Sequence, residues 1–349
     1  MSSFQYILSS HSEDEKNASL NLMRESFGND IDIAYPEYYE WQYLKNPLGS
    51  GNVLLAYDGE KPVGQIASIP CRYNFAAKDT YASLTMNLGV SPPYRGKGIM
   101  GELLRRINKI NQSMFWVAVP NGESMRGHLK LMEPMPLTLL IRPVRLSNYF
   151  FNHLFAGKFL KPFDLVWKKK KTTSEFQILE YIPMFDKRFD DLFFATNGQK
   201  MIRQVRDSKF LNWRYRSNPR RKYTTFIAIG DDGKIEGYII LRVTEIFGKR
   251  SGLIIDLLTR ENSTSARSMI VTALDYFWTN HVALAMITCF PNSSEYHLTK
   301  KEGFLVCPKR FLPHPLTLCM KASSEAQNIT DKLADPNNWF FMFGDYETL

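Results

Sequence analysis

The 349-residue chain has few cysteines, and none of them stands in a pattern typical of a metal or redox site. Cys71, Cys289, Cys307 and Cys319 form neither a CxxC pair nor a spacing with histidine that would hold zinc. This absence excludes a disulfide framework and a zinc module as organising features. We therefore expect buried, reduced thiols and no bound metal.

Long apolar runs are also missing. No stretch approaches the roughly 18 uninterrupted apolar residues that a membrane-spanning helix needs. Residues 1–23 lack a basic region followed by an apolar one, so no secretory signal peptide is predicted. Because 44% of the residues are hydrophobic and 13% aromatic, the chain can bury sizeable cores. We expect a soluble protein in the cytoplasm.

The common nucleotide-binding motifs do not stand where they would act. The sequence has no GxxxxGK followed by Ser or Thr, and its one GxGxxG spacing, GKGIMG at residues 96–101, does not follow the first strand of an early βαβ unit, where a dinucleotide fold carries it. The net charge of +9 nevertheless favours an anionic partner, which could be a nucleotide cofactor, nucleic acid or a membrane surface. Basic residues are scattered over both halves, which argues against a dedicated nucleic-acid groove.

The sequence contains an internal repeat. The segment WQYLKNP at residues 41–47 returns as WRYRSNP at 213–219, and each copy precedes a strand, an Asp-Gly-type turn and another strand. An apolar strand ending in Pro-Asn follows in both copies, at 120–121 and at 291–292. Because order and spacing agree as well as residues, the repeat predicts two similar α/β domains.

The repeat suggests domain boundaries along the chain. We predict one domain over residues 1–150, a linker over 151–171, a second domain over 172–322 and a C-terminal docking segment over 323–349. The linker ends in four lysines, Lys168–Lys171. A solvated linker or helix end is the plainer interpretation of this run, and contact with an anionic membrane surface is the alternative.

The segment SPPYRGKGIMGELL, residues 91–104, joins a strand to a helix. Residues 81–90 before it have strand composition, and the residues after it repeat with helical spacing. The apolar face of this helix consists of Ile99, Leu103, Leu104, Ile107 and Ile110. The segment is therefore predicted to form a turn that ends at a helix N-terminus.

This turn has the composition of an anion site. Gly96 and Gly98 let the backbone approach a ligand closely, because they carry no Cβ. Arg95 and Lys97 add positive charge, and the free N–H groups of a helix N-terminus attract anions. A phosphate or pyrophosphate is the expected ligand.

The RGKGIM stretch resembles the Arg/Gln-x-x-Gly-x-Gly/Ala turn of the GNAT acetyltransferase superfamily, and the order hairpin, strand, turn, helix, strand resembles that family as well. The resemblance implies two tandem GNAT-like α/β (α+β) domains, each a mixed, mostly antiparallel sheet flanked by helices. It implies that backbone amides of the turn hold the pyrophosphate of acetyl-CoA or another acyl-CoA, while the main chain of the preceding strand pairs with the pantetheine arm. The implied cofactor-binding residues are Leu88, Val90, Arg95, Gly96, Lys97, Gly98, Ile99, Met100 and Asn121.

Position 100 departs from the family pattern, in which Gly or Ala is usual. Met100 would be tolerated if its side chain points away from the backbone amides, and it would crowd the pyrophosphate if it points inward. Gly101, directly after it, is expected to ease packing at the helix start.

The resemblance leaves the catalytic groups open. In the family a Tyr stands seven residues after the strand-ending Asn, and here His128 stands seven residues after Asn121. His128 is therefore a candidate for protonating the leaving thiolate, and a surface histidine without a catalytic part is the alternative. For the general base, the aromatic C-terminus offers Asp345, Glu347 and the terminal carboxylate of Leu349. A simple edge strand or a docked clasp without a catalytic part is the alternative for this segment.

The second copy lacks the glycine turn. Residues 252–274 hold the place of strand, turn and helix, but they contain no Arg-x-x-Gly-x-Gly, and Glu261 would repel a phosphate. Asn292 and the later Gly-Phe pair of this copy still follow the family spacing. The second domain is therefore predicted to be a degenerate GNAT fold, which leaves one active site per chain.

These features together predict an acyl-CoA-dependent N-acyltransferase, most simply one that uses acetyl-CoA and transfers directly to an amine. A small amine such as an amino sugar is the favoured acceptor, and a protein acetyltransferase is an alternative. A second alternative is an acyl-CoA sensor without catalysis. A nucleic-acid or membrane-associated protein is a third, and it would show binding that falls steeply with salt.

Overall fold

The computed structural model describes residues 4–145, 147, 164, 176–196, 202–246, 248–260, 264–312 and 315–346. The chain divides into two compact units, each made of three separate segments. The first unit comprises Met1–Pro136, Ser217–Arg221 and Pro313–Asn338, and the second comprises Leu137–Arg216, Lys222–Leu312 and Trp339–Leu349. The linear domain boundaries stay predictions, and the lysine run at 168–171 lies outside the described residues.

The first unit is built on a sheet flanked by helices. Its strands are β1 (Gln5–Leu8), β2 (Asn52–Asp58), β3 (Lys61–Phe75), β4 (Lys78–Val90), β5 (Phe115–Ala118), β6 (Glu133–Pro136) and β15 (Thr317–Ala322). Its helices are α1 (Glu13–Phe27), α2 (Pro36–Tyr39), α3 (Ile99–Ile110), α4 (Gly122–His128) and α9 (Thr330–Ala334). The strand order is β1-β2-β3-β4-β5-β15-β6. Along this order β4 and β5 run parallel, and the other neighbours are antiparallel.

The second unit has the same design. Its strands are β7 (Thr138–Pro143), β8 (Gln177–Glu180), β9 (Ile202–Gln204), β10 (Thr224–Ile229), β11 (Ile235–Ile246), β12 (Lys249–Thr259), β13 (Leu284–Cys289) and β14 (Leu305–Val306). Its helices are α5 (Lys187–Ala195), α6 (Ser208–Leu211), α7 (Ser265–Thr279) and α8 (Ser294–Lys301). The strand order of its sheet is β14-β7-β13-β12-β11-β10-β8, with β12 and β13 parallel, and β9 is not part of this sheet. Two mixed, mostly antiparallel sheets flanked by helices confirm the predicted fold class.

The sequence repeat is a structural repeat. Each Trp-x-Tyr segment forms one π-helical turn, Glu40–Leu44 in the first unit and Asn212–Arg216 in the second. The tryptophan and tyrosine of both turns are buried, so these rings pack in the core. A bulged hairpin follows in both units, β2–β3 and β10–β11. The repeated residues thus encode the same local geometry twice.

The two halves of the chain exchange a strand. β7 comes from the N-terminal half, yet it lies between β13 and β14 in the second sheet. β15 comes from the C-terminal half, yet it lies between β5 and β6 in the first sheet. Each sheet is therefore completed by a strand from the other repeat.

In each sheet the parallel strand pair separates part of the way along. β4 pairs with β5 only from Ala82 to Leu84, and its remaining residues, 85–90, continue without β5. β12 pairs with β13 only from Ser251 to Leu253, and it too continues, to Thr259. The backbone groups along such a separated edge need another hydrogen-bonding partner.

In the second unit, the chain's own C-terminal segment lies beside this separated edge. The 3₁₀ turn Phe343–Asp345 contacts both β12 and β13. Phe340 and Met342 belong to the hydrophobic core of the unit, and Trp339 is fully buried. The gap between β12 and β13 is thus filled from within.

A buried ion pair fixes the segment in place. Arg206 donates from Nη2 to Asp345 Oδ2 at 2.7 Å and from Nε to the carboxylate of Asp256 on β12 at 3.0 and 3.1 Å. Tyr238 also donates to Asp256, at 3.0 Å. Because all of these groups are buried, removing one partner would leave an uncompensated charge in the core.

No helix in the described part of the chain combines the length and the apolar character that crossing a membrane requires. All four cysteines are buried and unbridged, as predicted.

Met342→Ala is expected to destabilise the second unit by about 2–5 kcal/mol, because it leaves a cavity where the C-terminal segment enters the core. Urea unfolding followed by fluorescence measures the loss. Gln327→Ala is the control, since it lies on the exposed surface shortly before the segment, and a change within about 0.5 kcal/mol is expected for it. Equal midpoints for Met342→Ala and the parent would show that the segment contributes nothing to the core.

Candidate functional site

A cavity of about 690 Å³ opens in the first unit beside the glycine turn. It is lined by the end of β4, the turn itself, the start of α3, one side of α4 and the end of α1. The sequence-predicted residues among its lining are Leu88, Val90, Arg95, Gly96, Gly98, Ile99, Met100 and Asn121. The structure therefore brings together nearly all of the predicted cofactor residues.

The turn adopts a conformation that requires glycine. Gly96 has φ +80° and Gly98 has φ +83°, both in the left-handed region that other residues rarely adopt. A Cβ built on either residue would meet nothing within 4 Å, so open space lies in front of this backbone. Gly98 is the N-cap of α3 and supplies no side-chain acceptor, so the first N–H groups of the helix are available to a ligand.

The second wall of the cavity is the separated edge of β4. Leu88, Gly89 and Val90 line it, beyond the last residue that pairs with β5. The strand reaches this position through a bulge, where Asn87 has φ +52° and Nδ2 donates to Gln42 and Tyr43. An extended ligand could pair with this edge as a strand would.

Positive charge dominates the cavity. Arg95, Arg105, Arg126 and Lys130 line it, and Glu123 is the one carboxylate among the lining residues. Arg95 donates from Nε to the Val90 carbonyl at 3.2 Å and pairs with Glu123 at 3.5 Å. Together with the dipole of α3, this charge favours an anionic ligand.

Lys97 is the predicted cofactor residue that does not line the cavity. Its Nζ lies 4.5 Å from the centre of the Tyr94 ring, as a cation–π contact requires. Tyr94 itself lines the cavity. In this arrangement Lys97 contributes to the field around the turn while its side chain packs on a neighbouring ring.

The side chain of Met100 ends against α4. A Cβ added to Gly127 would lie 2.9 Å from Met100 Cε and 3.4 Å from its Sδ, so the absence of a side chain at Gly127 makes room for this methionine. Gly127 lies on α4 and, like Met100, lines the cavity. The bulky residue that departs from the family pattern thus fills space between the two helices.

Asn121 and His128 begin and end α4. Asn121 is its N-cap, and Oδ1 accepts hydrogen bonds from the N–H and the hydroxyl of Ser124, each at 2.9 Å. His128 is 3% exposed and is not among the cavity-lining residues. Its Nδ1 donates to the Ser124 carbonyl at 3.0 Å, since a carbonyl can only accept.

Burial lowers the pKa of His128 below its ordinary value, and the Ser124 hydrogen bond opposes this only in part. At neutral pH the ring is therefore neutral, with its proton on Nδ1 and a lone pair on Nε2. To protonate the leaving thiolate, His128 would first have to gain a proton on Nε2. This catalytic role stays a prediction.

Asp345, one of the predicted bases, is held in a buried ion pair. Asp345 belongs to the second unit, where it pairs with Arg206 and accepts from the Met342 N–H at 2.7 Å. Burial raises its pKa, and Arg206 opposes that rise. Glu347 and Leu349 lie outside the described residues, so the role of the C-terminus as base stays a prediction.

Sequence reasoning missed part of the cavity. Ser26 and Phe27 line it from the end of α1, and no local motif pointed to them. Arg126 lines it from α4 and Lys130 from just beyond the end of that helix. Their spacing of four residues is a signal in the sequence that could have placed both on one helical side.

The buried state of His128 predicts a pH dependence of folding. Because its pKa is depressed in the folded chain, the stability it contributes is complete above the unfolded value near 6.5 and is lost as the pH falls towards the folded value. His128→Gln keeps a donor for the Ser124 carbonyl and should flatten the fall in unfolding free energy between about pH 7 and pH 5. Exposed His297→Gln is the control and should leave that slope unchanged. Identical slopes for His128→Gln and the parent would contradict the prediction.

Comparison with known proteins agrees with this architecture. Residues 8–114 match a family model described as an acetyltransferase (GNAT) domain. A search of the curated proteins found no matching sequence. Among described residues, no cluster of three or more His, Cys, Asp or Glu could hold a metal ion.

Three solved structures share this fold although their sequences are only 13–14% identical to this chain. One, from Enterococcus faecalis, is described as a conserved protein of unknown function and "Probable N-Acyltransferase"; it is 13% identical, with TM-score 0.63, over 92% of this chain and 72% of its own. A GCN5-related N-acetyltransferase from Anabaena variabilis is 14% identical, with TM-score 0.63, over 92% and 73%. Saccharomyces cerevisiae N-myristoyltransferase with bound myristoyl-CoA is 14% identical, with TM-score 0.62, over 92% and 80%. The chain therefore has a tandem GNAT-like fold, with a GNAT domain model matching its N-terminal part.

Proposed function

We propose that this chain, whose N-terminal part carries a GNAT domain, is an acyl-CoA-dependent N-acyltransferase with one donor site, in the first unit. The observation that carries the proposal is the turn at the start of α3, whose two left-handed glycines open onto a positively charged cavity. This turn suits a pyrophosphate, because its backbone N–H groups and the positive end of the helix dipole face open space. A side chain at position 96 or 98 would occupy that space.

The rest of the cavity suits the remainder of the donor. The free edge of β4 offers backbone groups along Leu88 to Val90, which can pair with the amides of a pantetheine arm. The volume of about 690 Å³ is within the range of small-molecule sites. When bound, the donor supplies an activated thioester, and the protein's part is to bind and orient it beside an amine.

The second unit supports a single site per chain. Its separated edge on β12 faces the C-terminal segment, whose 3₁₀ turn contacts both strands. The place that a pantetheine arm would take along β4 is taken along β12 by protein. A second donor site in this unit would require residues 339–346 to leave the core.

The acyl group and the acceptor are finer parts of the proposal. Acetyl-CoA is the simplest donor, and the N-myristoyltransferase with bound myristoyl-CoA that shares this fold makes a long acyl chain the main alternative. A small amine such as an amino sugar is the proposed acceptor, and a protein amine is its rival. The chain could also sense acyl-CoA without catalysis, in which case it would bind CoA but release no thiol with any amine.

For catalysis we keep His128 as the candidate acid and the C-terminal carboxylates as candidate bases. Asp345 would have to leave Arg206 before accepting a proton. Glu347 and the terminal carboxylate of Leu349 stay candidates beside it. A neutral amine could also lose its proton to water after attack, in which case no side chain acts as base.

The central test is Gly98→Asp, which places a carboxylate where the pyrophosphate would lie. We expect CoA affinity, measured by calorimetry, to fall at least tenfold, about 1.4 kcal/mol, because like charges then meet. Gly233→Asp is the matched control: Gly233 also has positive φ, at +75°, and a Cβ added to it would meet nothing within 4 Å, but it lies in the β10–β11 turn of the second unit. Equal CoA affinity in Gly98→Asp and the parent would overturn the assignment of the site.

Activity is tested by screening amine acceptors with acetyl-CoA and with myristoyl-CoA. The release of free CoA thiol is the quantity measured. Acyl transfer from either donor supports the proposal that the chain is an acyltransferase. The preferred donor then shows which acyl length the site accepts. CoA binding without thiol release in the full screen would favour the sensor.

Met100→Ala distinguishes two roles of this residue, packing between α3 and α4 and crowding of the bound CoA. Because the side chain ends at Gly127, we expect CoA affinity to stay within about threefold of the parent while unfolding free energy drops by up to about 2 kcal/mol. Met114→Ala, at a half-exposed position outside the cavity lining, is the control for the loss of a methionine. Binding that tightens tenfold in Met100→Ala would mean that this residue crowds the ligand.

A further inference from the structure

Two cations, Arg126 on α4 and Lys130 two residues beyond its end, are left unpaired by the described residues. Arg126 and Lys130 are exposed, line the cavity and stand four residues apart, so they share one side of the helix and its continuation. Within the described residues neither forms an ion pair or a side-chain hydrogen bond. Like charges at this spacing destabilise a helix slightly. Helix stability therefore does not explain why both positions carry a cation.

The other cavity cations are engaged differently. Arg95 bonds the Val90 carbonyl and pairs with Glu123. Arg105 pairs with Glu102 on its own helix. The remaining cations of the lining therefore stand on α4 and just beyond it, on a different element from the glycine turn.

CoA has two separate anionic centres, the pyrophosphate and the 3′-phosphate of its ribose. The glycine turn offers backbone N–H groups and suits the pyrophosphate. A terminal phosphate carries about two negative charges and is best held by side-chain cations, with an Arg fork and a Lys point charge as the usual pair. The charge distribution thus provides one partner for each centre.

We propose that Arg126 and Lys130 bind the 3′-phosphate of CoA and make the site select CoA over 3′-dephospho-CoA. The inference rests on the proposed function and deepens it, because it names the groups that distinguish the donor from close analogues. It requires the two side chains to act on one end of the ligand and not on the pyrophosphate.

Calorimetry with CoA and with 3′-dephospho-CoA tests this on the full chain. The parent should bind CoA at least roughly tenfold more tightly than 3′-dephospho-CoA, as expected for charge-assisted hydrogen bonds. The double variant Arg126→Gln with Lys130→Gln should lose that preference, to within about twofold, while its affinity for 3′-dephospho-CoA stays at the parent's value.

The matched control removes the same charge elsewhere in the first unit. Lys78→Gln with Lys109→Gln changes two exposed lysines outside the cavity lining, on β4 and α3, and should keep the preference for CoA. If it loses the preference as well, net charge and not the α4 pair is responsible, and the proposal is wrong.

The remaining outcomes separate the two proposals. A parent that binds both ligands equally well overturns the 3′-phosphate assignment and leaves the donor site intact. An α4 double variant that loses affinity for both ligands equally places the pair at the pyrophosphate, which also overturns it. A parent that binds neither ligand overturns the proposed function and this inference together.

Discussion

The short parallel pairing in each sheet is the constraint on which the rest of the structure depends. Once β4 leaves β5 after Leu84, a length of backbone is exposed that must find hydrogen-bonding partners in water, in a ligand or in protein. The same departure occurs after Leu253 in the second unit. Beside this edge the first unit has an open cavity and the second has its own C-terminal segment, so one geometry has two outcomes.

Local chemistry decides which outcome each unit has. In the first unit, glycines at 96 and 98 allow the chain to turn tightly into α3, and the cations around the turn favour an anion. In the second, Asp256 stands on β12 and binds Arg206, which also holds Asp345. A carboxylate on that edge would repel phosphate but suits a guanidinium. The cations around the first edge thus suit an anionic ligand, and the carboxylate on the second edge suits Arg206.

The parts of the structure that depend on local pattern could be predicted from the sequence. The apolar face of α3, the glycine turn and the repeat each rest on residues within a few positions of one another, and the structure has them where expected. The strand exchange could not be predicted, because β7 and β15 are similar short apolar strands and their pairing partners lie far along the chain. The direction of Met100 depended on Gly127, twenty-seven positions away, and the α1 wall of the cavity had no local signal at all.

The exchanged strands have a consequence for synthesis. β15 closes the first sheet between β5 and β6, but it is made only after the whole second repeat. The unit that carries the cavity therefore remains without one of its interior strands until residue 322 has left the ribosome, although most of its residues emerge first. For the same reason, a gene cut between the repeats would give two fragments, each without one interior strand of its sheet.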